Sequence, residues 1–284
     1  MLNALQVWEI KRDRPPVRLN IQAFSLDELS RQLPQGLYST FRTFAGRTRA
    51  LDLRHHLERL YHPAEPLDID PAVDETGLRR ALAELLAVFP APEARVRISL
   101  STGSQRPGAL FAAIEPLQLL ADEVYRYGVR AILSHQERLH PQLKSSAFIA
   151  ASEQARRELA AAGAFEALMV HHGRISEGLS SNFYYIKNGV LGTAGRGVLP
   201  GVTRRLVLRL ARREGIPLVY RALPVDQVAR IDEAFITSSS RGIVPLVQID
   251  TLPVGSGLPD LVTRRLMESY TAYVETRVDL VAPA

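Results

Sequence analysis

The sequence predicts a mixed α/β (α+β) protein of two domains, and three observations carry that expectation. At 284 residues the chain exceeds the size at which one hydrophobic core is comfortable. Segments with a two-residue apolar period are interspersed with segments of helical period. Between them, near residues 116–126, a proline and the acidic pair Asp122 and Glu123 interrupt the apolar pattern. The expected division is a small N-terminal α/β domain over 1–120 and a larger domain over 121–284. Hydrophobic residues at 46% and charged residues at 23% are ordinary for a globular chain and far from the composition of disorder.

In the first domain LYSTFRTF alternates as a strand, DLRHHLERLYH has helical spacing, TGLRRALAELLAVF reads as an amphipathic helix, and RVRISLS alternates again. ALFAAIEPL reads as a buried strand ended by Pro116. The second domain opens with VRAILSH as a strand. SSAFIAASEQARRELAAAG follows as one helix stopped at Gly163, where a positive φ costs glycine little. EALMVHHGRISEG predicts strand and turn. FYYIKNGVLGT predicts a hairpin, because Asn188-Gly189 supply the positive φ angles of a two-residue primed turn. LPGVTRRLVLRLARREG is a loop feeding a helix, and DEAFITSSSRGIVPLVQID is two apolar segments around a small polar loop. No repeat at solenoid periods interrupts this order.

Composition narrows the function. The chain has no cysteine, which excludes a disulfide framework, a thiolate metal site and a cysteine nucleophile. The opening MLNALQVWEIKRDRPP lacks the pattern of a secretory signal, and no long apolar run marks a membrane span, so the cytoplasm is the expected compartment. The net charge of +5 comes from scattered basic residues interleaved with Asp and Glu, a solvated surface suited to small anions rather than nucleic acid. Lys11, Lys144 and Lys187 are the only lysines, so arginine supplies nearly all of the 35 basic residues. A lysine kept in an apolar setting then points to amine chemistry, which a permanently charged guanidinium cannot perform.

Lys144 is that lysine: it lies in HPQLKSSAFIAAS, where partial burial favours the neutral amine needed for a Schiff base. Three further segments describe a site for an anionic cofactor. Gly201-Val202-Thr203 precede a helix, whose first N–H groups and positive dipole end attract phosphate. Ser238-Ser239-Ser240 follow the strand EAFIT and offer hydroxyl and backbone donors. Ile175-Ser176-Glu177-Gly178 places a carboxylate at the end of an apolar strand, where burial demands a cationic partner.

The order and spacing of GLYSTFRTF, LRHHLERL, LKSS, ISEGLSSNFYYIKNG, VLPGVTRR and DEAFITSSSRGIVP resemble the class IV, or fold type IV, pyridoxal-phosphate enzymes: branched-chain aminotransferases, D-amino acid aminotransferases and aminodeoxychorismate lyases. The resemblance covers roughly residues 36–275. It implies a small α/β domain, a larger domain with a barrel-like sheet, pyridoxal 5′-phosphate lying between them, and a homodimer. It also implies roles: Lys144 carries the cofactor as a Schiff base and moves the substrate proton, Glu177 pairs with the pyridine nitrogen, Arg59 binds the phosphate, and Val202, Thr203, Ser239 and Ser240 complete the phosphate site.

For the substrate, Tyr38 and Arg97 are the candidates. Arg97 stands six residues before Gly103, as an arginine of branched-chain aminotransferases does, and is expected to meet a carboxylate. Arg106 is similar to the loop arginine of D-amino acid aminotransferases, but lacks their companion histidine. Ala147 and Phe148 stand where many relatives have asparagine and tyrosine, and the N-terminal Asn-Gly turn of many relatives is missing. The expected function is transamination between an amino acid, first an L-branched-chain one, and a 2-oxo acid. Thr40, in Tyr38-Ser39-Thr40, keeps open the alternative of a 4-amino-4-deoxychorismate lyase releasing pyruvate and 4-aminobenzoate. A relative that binds the cofactor without turnover is the third reading.

Overall fold

The computed structural model describes residues 5–283, and the chain forms two compact units. The first takes in the chain up to Gln118, together with Leu143–Ala151 and the segment from Arg277 onward. The second comprises Leu119–Gln142 and Ser152–Thr276. The first change of unit falls between Gln118 and Leu119. Leu143–Ala151, with Lys144, returns to the first unit.

The first unit is built on strands β1 (Gln6–Ile10), β2 (Val17–Arg18), β3 (Gly36–Phe44), β4 (Arg49–Ala50), β5 (Ala94–Ser101) and β6 (Leu110–Pro116). With the C-terminal strand Asp279–Leu280 they form an antiparallel sheet in the order Asp279–Leu280, β4, β3, β5, β6, β1, β2. Its two faces follow from the two-residue period of a strand. Leu37 and Phe41 of β3, Val96, Ile98 and Leu100 of β5 and Ala112 of β6 meet the leucines of helices α2 (Leu53–Tyr61) and α3 (Glu75–Ala87). Phe111 and Ala113 point the other way, to Leu26 and Leu29 of helix α1 (Leu26–Gln32). The N-terminal region, though lacking the Asn-Gly turn, still pairs β1 with β2, and Asp13 in the connection takes a φ of 53°.

The second unit contains β7 (Val129–Ser134), β8 (Glu166–His171), β9 (Arg174–Gly178), β10 (Asn182–Lys187), β11 (Val190–Thr193), β12 (Leu218–Tyr220), β13 (Leu223–Pro224), β14 (Glu233–Ser238), β15 (Gly242–Ile249) and β16 (Leu252–Pro253). The path β10, β14, β15, β7, β8, β9 closes on itself through the pairing of Asn182 with Glu177, which makes the barrel-like sheet. Leu168, Ile175, Phe183, Ile236, Val244 and Leu246 share its core. Asn188 and Gly189 adopt φ angles of 52° and 74° between β10 and β11, as the primed turn requires.

One expected helix is divided. The segment following Lys144 forms Ala147–Ala151 and then Glu153–Ala161, separated at the buried Ser152, where the chain passes from the first unit to the second. Among the described residues, no helix is long and apolar enough to cross a membrane.

Candidate active site

In the first unit, backbone pairing places Lys144. Tyr38 N–H donates to the Lys144 carbonyl at 2.8 Å, Ser146 N–H donates to the Gly36 carbonyl at 2.8 Å, and Leu37 bridges to Ser145. The Ser146 hydroxyl accepts from Gly36 N–H at 3.0 Å. LKSS thus lies along the start of β3 as a short extra strand. On its other side Gly36 lets β3 approach β5: a Cβ there would lie 1.9 Å from the Leu100 carbonyl oxygen of β5. Lys144 Nζ is 4.9 Å from the centroid of the Tyr38 ring.

Arg59 and His56 lie on α2, three residues apart and hence on neighbouring positions of one helical face. Burial lowers Arg59 to about 10, with the field of Tyr38 opposing that shift. An anion held by Arg59 would reverse the loss. His56 is fully buried, meets the Ser39 hydroxyl through Nδ1 at 2.8 Å, and is pushed well below its ordinary value, first by burial and then by the charges of Arg59 and Lys144. Arg59, His56, Tyr38 and Lys144 therefore form one local cluster.

Arg97 behaves otherwise than expected. Strand alternation puts it on the face of β5 opposite Val96 and Ile98, towards α1, where Asp27 pairs with its Nη1 at 2.8 Å. The same nitrogen donates to Ser30 Oγ and to the Leu26 carbonyl, each at 2.8 Å, and Nε donates to Thr40 Oγ1 at 3.0 Å. The guanidinium is stacked 4.5 Å from the Tyr38 ring centroid. Arg97 therefore anchors α1 to the sheet, with its charge already matched by Asp27. Arg106, the other candidate arginine, pairs with Glu9 of β1.

In the second unit, Glu177 ends β9 almost fully buried. Its Oε1 accepts from Arg138 Nε at 3.0 Å, and its Oε2 accepts from Leu199 N–H at 3.0 Å and Asn182 Nδ2 at 3.2 Å. Asn182 also donates to the Leu199 carbonyl at 2.9 Å, tying Glu177 to the loop that leads into the helix Val202–Arg213. Gly201, at the cap of that helix, is required by the same amide: a Cβ would lie 2.2 Å from Asn182 Oδ1. Thr203, in the first turn, is buried, and its hydroxyl lies 3.5 Å from Ser239 Oγ in the turn after β14. Thr203, next to Val202, is thus brought to Ser239, with Ser240 next along the same turn.

A second buried carboxylate fixes the loops of this unit. Glu166 Oε2 accepts from Ser180 at 2.7 Å and Ser181 at 2.9 Å. Arg241, which follows Ser240, reaches Glu166 at 3.5 Å, Ser180 at 2.7 Å and Ser238 at 2.9 Å. Sequence reasoning missed Arg138, Asn182, Glu166 and Arg241. Arg138 is one arginine among many and carries no local signal. Asn182 and Arg241 lay inside quoted motifs, and the pairing of buried carboxylates with cations was the rule that could have asked for their partners.

These residues fit pyridoxal phosphate. The first turn of Val202–Arg213 holds no acid, the Thr203 and Ser239 hydroxyls converge beside it, and the caged Glu177 carboxylate suits a protonated ring nitrogen. Within the first unit, Lys144 carries an amine of the kind such a cofactor would need.

Comparison with known proteins agrees. A family profile described as amino-transferase class IV matches residues 36–249. The chain is 30% identical over 236 residues to a putative branched-chain-amino-acid aminotransferase of Methanocaldococcus jannaschii, covering 77% of this chain and 80% of that protein. It is 28% identical over 256 residues to a D-alanine aminotransferase of Bacillus licheniformis, covering 86% and 89%. The T.th. branched-chain amino acid aminotransferase, solved with pyridoxamine 5′-phosphate, shares the fold with a TM-score of 0.83 at 23% identity, over 99% of this chain and 100% of that one. With the profile match running from the start of β3 to the end of β15, the chain belongs to the class IV aminotransferase family and has its fold type IV architecture.

Proposed function

We propose that the protein is a pyridoxal-phosphate-dependent transaminase that moves an amino group between an L-amino acid with a branched aliphatic side chain and a 2-oxo acid. The observation that carries the reading is the LKSS segment bound along β3, which fixes Lys144 by its backbone and leaves the amine beside Tyr38. When bound, the cofactor supplies a ring that accepts the electron pair released at the substrate Cα. Lys144 Nζ would hold the cofactor covalently, and its amine would be the group that takes up and returns the proton of the substrate Cα. Glu177, caged by Arg138, Asn182 and Leu199 N–H, would hold a proton on the ring nitrogen. In the second unit Thr203, Ser239, Ser240 and the N–H of Val202 would hold the phosphate, a role that the family resemblance also gives to the guanidinium of Arg59.

The choice of an L-branched donor rests on two arginines. Arg106 is held by Glu9, which withdraws the loop arginine that a D-amino acid enzyme would use, and Arg97 is matched by Asp27. An apolar substrate side chain asks nothing of either. Against the lyase alternative stands the Thr40 hydroxyl, which already accepts from Arg97 Nε. A homodimer in the cytoplasm completes the proposal, the dimer by resemblance to the family and the compartment as the expectation from the sequence.

The test uses purified protein with its cofactor. Borohydride reduction followed by peptide mapping should find the pyridoxyl group on Lys144, and finding it on Lys11 or Lys187 would overturn the assignment. Adding L-valine or L-leucine should abolish the visible cofactor band, and a 2-oxo acid should restore it. A band unmoved by every L- and D-amino acid, with aminodeoxychorismate consumed without any oxo acid, would favour the lyase.

A further inference from the structure

We infer that Arg204 is the buried counter-charge of the cofactor phosphate, an inference that rests on the cofactor reading above. Arg204 is 8% exposed, yet its partners are neutral: Nη1 donates to Thr193 Oγ1 at 2.7 Å and Nη2 to the Ala194 carbonyl at 2.7 Å. Among the described residues no carboxylate pairs with it. The remaining neighbour is the Tyr184 hydroxyl, which cannot supply an anion, because burial pushes that phenol up to about 12. A guanidinium taken out of water without an anion is costly, and the cost grows here for a second reason. Arg204 sits in the first turn of Val202–Arg213, at the positive end of the helix dipole, in a turn that contains no acid. Helix, cation and geometry are arranged as if a negative charge belonged at this end.

Arg204 is placed to serve the same anion as the phosphate residues. It follows Thr203, whose hydroxyl meets Ser239. Its neighbour Tyr184 accepts from the Thr237 hydroxyl at 3.4 Å, and Thr237 lies on β14 two residues before Ser239. The row Arg204, Tyr184, Thr237 therefore joins the two elements that present Thr203 and Ser239. Thr203 and Ser239 supply hydrogen bonds to the phosphate, and Arg204 supplies the charge that offsets it through a poorly screened interior. The cation spends its own donors on Thr193 and Ala194, which hold it in place behind the site.

The inference predicts a loss confined to the phosphate. Apoprotein should be titrated with pyridoxal phosphate and, separately, with pyridoxal, for wild type, Arg204→Met and Arg204→Lys. Arg204→Met should weaken pyridoxal phosphate by about tenfold or more while pyridoxal affinity stays within about twofold, since a tenfold change corresponds to about 1.4 kcal/mol. Its apoprotein should melt no lower than wild type, because an uncompensated buried charge has been removed. Arg204→Lys keeps the charge but cannot reach both Thr193 and Ala194, and it should keep most of the preference for the phosphorylated ligand. Equal weakening of both ligands by Arg204→Met, or a lysine variant no better than methionine, would mean that Arg204 is only a pin between the helix and β11 and would overturn the inference. If Arg204→Met does not fold, the lysine variant decides alone by the same ratio. A wild-type apoprotein that binds no pyridoxal phosphate would instead refute the cofactor reading, before any variant is compared.

Discussion

Lys144 and Glu177 are held by different means, each within its own unit. Around Lys144 the grip is backbone on backbone: main-chain hydrogen bonds between LKSS and β3, with one serine hydroxyl added. Around Glu177 the grip is largely side chain on side chain, a carboxylate caged by Arg138, Asn182 and one N–H. The first arrangement tolerates changes of side chain as long as the strands can approach. The second depends on charge balance, because a buried carboxylate that loses its cation is left with the full cost of desolvation. The difference suits the two proposed tasks: an amine that would have to leave and return needs a fixed backbone tether, whereas a carboxylate that would hold a proton on its partner needs a fixed charge.

The largest expected effect breaks the second arrangement. Arg138→Met removes the cation and leaves Glu177 buried, at a cost of about 3 kcal/mol in unfolding free energy measured by urea denaturation. Adding Glu177→Gln should return much of that stability, since the charge is then gone from both sides. Glu177→Gln alone should fold and bind cofactor while losing turnover by roughly a hundredfold or more, each pKa unit lost at the ring nitrogen being worth about 1.4 kcal/mol. Simple additivity of the two substitutions would show that the cage does not act as a unit.

The first arrangement breaks on its backbone. Gly36→Ala would push a methyl group against the Leu100 carbonyl, which belongs to β5 and cannot swing aside. The cost should be about 2 kcal/mol, with LKSS displaced along with β3. Ser146→Ala, by contrast, removes one hydroxyl contact and should cost about 1 kcal/mol, with the lysine still reducible onto the cofactor. Thermal melts of the two variants decide this, and a larger loss from Ser146→Ala would show that the side chain, not the strand pairing, holds the segment.

What was legible in the sequence follows the same division. Strand period, helix period and the Asn188-Gly189 turn are local signals, and they identified β3, β5, β6, β7, β10, β11, β14 and the helices α2, α3 and Val202–Arg213 with little displacement. Lys144, Glu177, Val202, Thr203 and the serine turn were singled out by motif, and the structure brings Thr203 to Ser239. Partners far along the chain were not legible. Asp27 is 70 residues from Arg97, and nothing local shows that α1 will cover that face of the sheet. Arg138 and Glu166 meet their partners only once the barrel has closed. The return of LKSS to the first unit was hidden for the same reason, since its pairing with β3 spans more than a hundred residues.

The last expected effect concerns a group that neither arrangement uses directly. His56 lies under the Lys144 side of the first unit, fully buried against Ser39 and Phe41 and facing the charges of Arg59, Lys144 and His55. Burial first, and those charges next, keep it neutral well below the ordinary histidine range. In the unfolded chain it takes up a proton near pH 6.5; in the folded chain it resists doing so until the pH is much lower. Between those two values the unfolded state holds more protons, so stability must rise with pH there. The contribution of His56 is fully present above about pH 6.5 and is lost as the pH falls below it, by at most about 1.4 kcal/mol per unit. His56→Gln keeps a polar partner for Ser39 and cannot titrate. Urea denaturation at about pH 7.5, 6.5 and 5.5 should therefore show wild type losing stability on acidification more steeply than His56→Gln, with parallel slopes at the alkaline end. Parallel slopes throughout would mean that His56 takes its proton as readily in the fold as out of it, and that the cations beside Lys144 are better screened than their burial suggests.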